Sequence, residues 1–196
     1  YHYDGHTELL AELCGASDVA MMLVSERLRV THVTTHASLH KSIEMVRPER
    51  IIAVIKLTDE AVRQMGINKP RIAVAGLNPH AGEGGLFGDE EAKYIKPAIE
   101  AACRQGINAM GPFPPDSVFF RTLDGQFDAA VAMYHDQGHI AIKMLGMTQG
   151  VNVTLGLPII RTSVDHGTVF GKAGKGTADP SSLIEAVKLA GVMYQK

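Results

Sequence analysis

Short apolar runs alternate along this chain with longer segments of helical periodicity. That alternation confines the fold to the α/β class with a mostly parallel sheet. Three of the runs lead into a histidine. His36 follows Leu28 to Thr35, His80 follows Ile72 to Pro79, and His135 follows Ala129 to Tyr134. The carboxyl ends of parallel strands face one crevice, so three imidazoles delivered there could converge on one ion. Three neutral nitrogens leave coordination positions open for a substrate oxygen, which suits a catalytic cation better than a structural one. The competing role for each histidine is that of a hydrogen-bonded loop residue.

With 196 residues and 45% hydrophobic content, the chain can bury a core of ordinary globular size. No apolar run approaches the roughly 20 residues that a bilayer span requires, and the start lacks the order of a signal peptide. The cytoplasm is therefore the expected compartment. Cys14 and Cys103 both fall in helix-like segments and read as buried free thiols, not as a disulfide framework. A net charge of −2, with no tryptophan and no Lys/Arg stripe, argues against a nucleic-acid surface. Small anions remain possible substrates, since a few local cations suffice for them.

Thr7 is placed to cap a first helix that closes at Gly15. Asp18 to Val24 and Leu28 to Thr35 read as a hairpin about Ser25-Glu26-Arg27. Ser38 to Val46 fits a short helix, and Pro48 opens a long one through Met65. Asp89 caps a helix running to Gly106, and a strand follows at Ile107 to Met110. Three prolines between Gly111 and Asp116 predict an ordered loop presenting Asp116. After His135 comes a short helix carrying Lys143, then strands near Val151 to Leu155 and Ile159 to Thr162. Next are a Gly- and Lys-rich loop from Thr168 to Pro180 and a terminal helix capped by Ser181. No linker divides residues 1–196 into sequence-continuous domains.

Several side chains carry chemistry in this frame. Lys143 lies near the His135 strand end, where a neighbouring cation would let it exchange protons with a substrate hydroxyl; a solvated surface charge is its alternative role. Arg161 offers a planar fork for phosphate or carboxylate, against a structural salt bridge, and Asn152 lies on the adjacent strand. Asp116 could orient the lysine or a ligand, or fix its own turn. His6 and Thr7 stand at a helix start, where free backbone donors favour an anion. The glycines after Asn78-Pro79-His80 lack the Gly-Lys-Ser/Thr of a phosphate loop, and no Gly-x-Gly-x-x-Gly follows any strand. They suit a loop that wraps closely around a bound molecule, or an ordinary surface turn.

Taken together, Gly5-His6-Thr7-Glu8, Thr34-Thr35-His36, Gly76 to Glu83, Met133 to Gly138, Val151 to Pro158 and Arg161 to Thr168 resemble the 4-hydroxythreonine-4-phosphate dehydrogenase family of vitamin B6 biosynthesis. The likeness runs essentially end to end, although the family carries a substantial region ahead of the position equivalent to Gly5. It implies a fold like that of isocitrate and isopropylmalate dehydrogenases, with two α/β domains about a cleft and an active site at a homodimer interface. His36, His80 and His135 would bind the divalent metal, be it zinc, magnesium, manganese or cobalt. His6, Thr7, Lys143, Asn152 and Arg161 would contact the phosphorylated substrate, and Asp116 matches an active-site aspartate beside Lys143. His166, Gly167, Thr168 and Asp179 fall in a segment similar to the adenosine-side NAD loop, with NADP as an alternative. The implied reaction is metal-assisted oxidation of a secondary hydroxyl by NAD, giving a 3-oxo acid that loses carbon dioxide. Gly138-His139-Ile140-Ala141 and Tyr1-His2-Tyr3-Asp4 depart from the B6 enzymes toward the paralogous branch acting on D-threonate or D-erythronate 4-phosphate. A metal-dependent hydrolase and a non-catalytic metal- or phosphate-binding fragment are the more distant alternatives.

Overall fold

A computed structural model of the chain describes residue 3 and residues 5–25, 27–146 and 150–194. Glu26 of the expected hairpin turn, and Tyr1, His2 and Asp4 of the opening motif, lie outside them. The elements run α1 (His6–Cys14), β1 (Ala20–Val24), β2 (Arg29–His32), α2 (Leu39–Met45), α3 (Pro48–Gln64), β3 (Ile72–Ala75), α4 (Lys96–Arg104) and β4 (Ala109–Phe113). They continue with α5 (Pro115–Leu123), β5 (Ala129–Ala132), α6 (His135–Lys143), β6 (Val151–Leu155), β7 (Arg161–Val164) and α7 (Ser181–Tyr194).

The strands form one sheet in the order β4-β3-β5-β2-β1-β6-β7. β4, β3, β5 and β2 pair in parallel, while β1 pairs antiparallel with both β2 and β6, and β7 antiparallel with β6. Five of the seven strands (β2 to β6) thus share one direction, and β1 and β7 oppose them. Side chains alternate between the faces, as a pleated strand requires. Ile72, Val74, Ala129 and Val131 pack on one side with Ile51, Val54, Ile55 and Val62 of α3. Ala73, Ala75, Ala130 and Ala132 pack on the other with Val118 and Phe119 of α5 and Ile142 of α6. Both faces of the central strands are therefore buried, which is why they read as continuous apolar runs instead of alternating ones.

Some sequence expectations change. Pro112 lies within β4, not in a loop, because β4 is an edge strand and the pairing with β3 shifts register between Ala73 and Ala75. The α5 helix, unforeseen, begins at Pro115, so Asp116 occupies its first turn and is exposed. Thr7 is inside α1, and Gly5 holds the cap position without a side-chain bond. The helix expected from Asp89 starts instead as a π-helical turn, Glu91–Ile95, before α4. Cys14 is half-buried and Cys103 exposed, so the expected burial of both thiols does not hold. At α7 the capping oxygen belongs to Asp179, whose Oδ1 accepts from the Ser181 backbone N–H (2.9 Å) and Oγ (2.6 Å).

Candidate active site

β3, β5 and β2 are consecutive in the sheet and parallel, so His80, His135 and His36 leave it at the same edge, with His135 in the middle. Two of them meet. The rings of His36 and His135 are 6.1 Å apart between centroids, and both residues line a cavity of about 460 Å³ with Thr35, Ser38, Tyr134 and Asp136. Each ring faces a carboxylate through Nδ1: His135 contacts Asp136 Oδ1 at 2.6 Å and His36 lies 3.9 Å from Glu8 Oε1. At His135 the carboxylate on Nδ1 holds the proton there and leaves Nε2 as the free lone pair, as metal-ligating imidazoles require, whereas the His36–Glu8 contact is too long for a hydrogen bond. The other Glu8 oxygen is buried with no hydrogen-bond partner among the described residues, beside Gly5, where a Cβ would stand 3.0 Å from it.

His80 does not join the pair. It is exposed, with its ring 6.1 Å from that of Phe87. Among the described residues no three His, Cys, Asp or Glu side chains gather around one point. The physical reason lies in the backbone: residues 80–84 all have positive φ, from 44° at Glu83 to 78° at Gly82, which is one left-handed turn. Such a conformation costs about 1–2 kcal/mol for each non-glycine residue and persists only where its surroundings over-determine it. Glu91 supplies that hold. Its Oε1 accepts from the Leu77 and Asn78 backbone N–H groups (2.8 and 2.7 Å), and its Oε2 from Asn78 Nδ2 (3.0 Å). Gly76 and Gly82 leave the space it needs, since a Cβ on Gly82 would lie 2.7 Å from Oε2. By chemistry the donors are those of a divalent-cation site, but only His36 and His135 are together, and the His80 turn holds the third imidazole apart from them.

Gln137 stitches the neighbouring strand ends, accepting from the Met133 N–H (2.7 Å) and donating to the Gly76 carbonyl (2.9 Å). Lys143, at the end of α6, is paired with Asp165 and not with Asp116: Nζ donates to the Asp165 carbonyl at 2.9 Å and stands 3.1 Å from Oδ2. Thr7, Thr154 and Arg161 form a chain. Arg161 Nη1 donates to Thr154 Oγ1 (3.2 Å), which is 3.4 Å from Thr7 Oγ1. Arg161 has no carboxylate within ion-pair distance among the described residues, so the salt-bridge role fails. Its half-buried guanidinium is pushed below the usual range by desolvation. It borders a separate cavity of about 590 Å³ that contains none of the histidines. Asn152 donates to Met21 Sδ (3.3 Å), and its Oδ1 is buried without a partner. His6 is exposed at the start of α1.

His166, Gly167 and Thr168 are exposed beyond β7. Asp179 is held below the usual carboxylate range by its bonds to Ser181, with Lys172 and His166 adding favourable charge. The loop thus brings His166 and Lys172 near Asp179 on an exposed stretch of the chain. Sequence reasoning missed Glu91, Thr154 and Asp165, whose roles arise only from contacts distant in the chain.

Over residues 1–190 the chain matches the family model described as pyridoxal phosphate biosynthetic protein PdxA, and it belongs to that family. It is 56% identical over 189 residues to a putative D-threonate 4-phosphate dehydrogenase of Oceanobacillus iheyensis, covering 96% of this chain and 57% of that protein. The same identity and length relate it to a 4-hydroxythreonine-4-phosphate dehydrogenase of Beijerinckia indica, covering 96% of this chain and 56% of that protein. A crystal structure of 4-hydroxythreonine-4-phosphate dehydrogenase from Klebsiella pneumoniae superposes with a TM-score of 0.88 at 49% identity, covering 97% of this chain and 58% of that one. The chain thus spans under two thirds of the length of these relatives. No helix among the described residues is long and apolar enough to cross a membrane.

Proposed function

We propose that the complete protein is an NAD-dependent dehydrogenase that oxidises the secondary hydroxyl of a small 4-phosphorylated hydroxy acid, yielding a 3-oxo acid that decarboxylates. The substrate is 4-hydroxythreonine 4-phosphate in one reading. In the other it is D-threonate or D-erythronate 4-phosphate, which the name of the Oceanobacillus relative favours. The observation that carries the proposal is the His36–His135 pair, two neighbouring imidazoles, one with a carboxylate hydrogen-bonded at Nδ1, at the strand ends from which His80 also departs.

His36, His135 and His80 would hold a divalent cation, and the 166–179 loop the nicotinamide cofactor, NAD or NADP. When bound, these groups supply polarisation of the hydroxyl oxygen and the hydride acceptor. The remaining work falls to the chain. Arg161, which has no carboxylate partner among the described residues, and the hydroxyls of Thr7 and Thr154 seat the phosphate, with His6 exposed one residue before Thr7. Asn152 lies on β6 beside this group, its Nδ2 donating to Met21 Sδ. Lys143 Nζ, steadied by Asp165, exchanges the proton of the reacting hydroxyl. Asp116, exposed on α5, serves at most as a contact to substrate brought to it. A homodimer with the active site at its interface is part of the proposal, supported by exposed Leu86 and Phe87 beside the His80 turn. Free thiols at Cys14 and Cys103 support a cytoplasmic setting.

The test is NADH formation by the complete polypeptide, offered 4-hydroxythreonine 4-phosphate and D-threonate 4-phosphate side by side, with and without chelator. Chelator-sensitive turnover of one substrate is expected. No turnover of either by folded, metal-loaded protein would overturn the reading.

A further inference from the structure

A second set of histidines backs the first. His32, wholly buried on β2, has Nδ1 3.3 Å from the Met21 carbonyl. A carbonyl only accepts, so that nitrogen carries the proton and Nε2 is left as a lone pair. This Nε2 faces His139 Nδ1 at 3.2 Å, and the same His139 nitrogen is 3.0 Å from the His135 carbonyl. His139 Nδ1 must therefore be the protonated one on two counts, and both acceptors agree with the assignment forced from the buried end. Burial keeps the His32 ring neutral, its pKa lowered to about 3.

The outer face of this arrangement meets the candidate site. The His139 ring stacks on that of His135 with centroids 3.6 Å apart and planes within 12°. Turning His139 would break its contacts to both His32 Nε2 and the His135 carbonyl, so the stacked face is fixed. Gly138 is what permits it: a Cβ there would fall 2.5 Å from His32 Nε2 and 2.7 Å from Val30 Cγ1. Asp136 meanwhile claims His135 Nδ1.

We propose that His139 is a positioning residue for His135, holding its imidazole in the plane in which Asp136 keeps the proton on Nδ1 and Nε2 faces outward, and that His32 is the buried anchor that holds His139. This deepens the proposed function, which uses His135 Nε2, but its test needs neither metal nor turnover.

The full chain labelled with 15N at histidine, free of metal and at neutral pH, reports each ring's tautomer through long-range proton–nitrogen spectra. The Nδ1–H form is expected for His32, His139 and His135. In His139→Ala, His135 should gain the Nε2–H form; in His139→Phe, which keeps a flat stacked ring, it should revert to the single form. Titration of Zn²⁺ alone should show affinity about 10–100-fold weaker for His139→Ala, with substantial recovery in His139→Phe, the scale of a lost supporting contact. A wild-type His139 protonated at Nε2 would overturn the proposal. So would an unaltered His135 tautomer, or an unaltered Zn²⁺ affinity, in His139→Ala. The expected tautomers in a protein that forms no NADH would count against the dehydrogenase reading and leave the positioning role standing.

Discussion

Lys143 reaches back from the end of α6 to Asp165 just beyond β7, and the aspartate side chain it meets is 1% exposed. Among the described residues the carboxylate makes no aligned hydrogen bond, so its attraction to Lys143 is chiefly Coulombic. Gly150 lies against it, where a Cβ would sit 2.2 Å from Oδ2. Asp165→Ala should therefore destabilise the protein by about 3–5 kcal/mol, the scale of breaking a buried pair, as read by urea unfolding. Lys143→Met should lower kcat by about 10²–10⁴-fold, the scale of a lost general acid–base group, and should also destabilise the fold, because it leaves the buried Asp165 carboxylate uncompensated.

His80→Ala and His36→Ala separate the two kinds of histidine position. Loss of metal-dependent turnover is expected from both, and metal content after dialysis is the check. Normal metal content and activity in His80→Ala would remove that residue from the site.

Glu91→Gln tests the brace under the left-handed turn. Its amide cannot accept at both ends, so the Asn78 Nδ2 contact or the two backbone contacts must weaken. Hydrogen exchange at the Leu77 and Asn78 amides should quicken, and stability should fall by about 1.5–3 kcal/mol, as for a hydrogen bond to a charged group.

Gly138→Ala places a methyl against His32 Nε2 and Val30, both fixed in the core. A loss of about 1–3 kcal/mol is expected from overpacking, seen as a lower Tm.

Acid should weaken the fold through His32. Its pKa is depressed from 6.5 to about 3 when folded, by burial first and by the neighbouring His139 second. Above pH 6.5 neither state binds the proton and the native contribution is complete. Between about 6.5 and 3 the unfolded chain takes up a proton that the native one refuses, so stability falls as pH drops, by about 1.4 kcal/mol per unit. Below about 3 the slope from this group ends. Urea titrations from pH 7 to 4 should show this decline, and His32→Gln, though less stable at pH 7, should show a shallower one.

The central strands and the long α3 were legible because their signals are local: buried parallel strands are continuous apolar runs, and Pro48 marks a helix start. The three strand-end histidines were legible for the same reason, since a strand direction follows from its crossover connections. What escaped was set by neighbours. Pro112 reads as a loop until β4 proves to be an edge strand, where a missing donor costs no ladder bond. Thr7 reads as a cap until Thr154 arrives from the other side of the chain. Asp165 and Glu91 carry no motif of their own, and their value comes from Gly150, Gly76 and Gly82 having made room. His139 looks like a surface residue on a short helix until the register of β2 sets His32 beneath it.

The sharing of one sheet edge by β3, β5 and β2 has a metric consequence. Neighbouring strands stand about 4.8 Å apart, a pitch dictated by the backbone and indifferent to side-chain identity. His135 sits one pitch from each flanking histidine at the root, so the reach across the site is graduated in units of the ladder itself. Insertions in the connecting helices leave that ruler unaltered; a slip between β2 and β5 would keep the pitch and displace His36 along the strand direction.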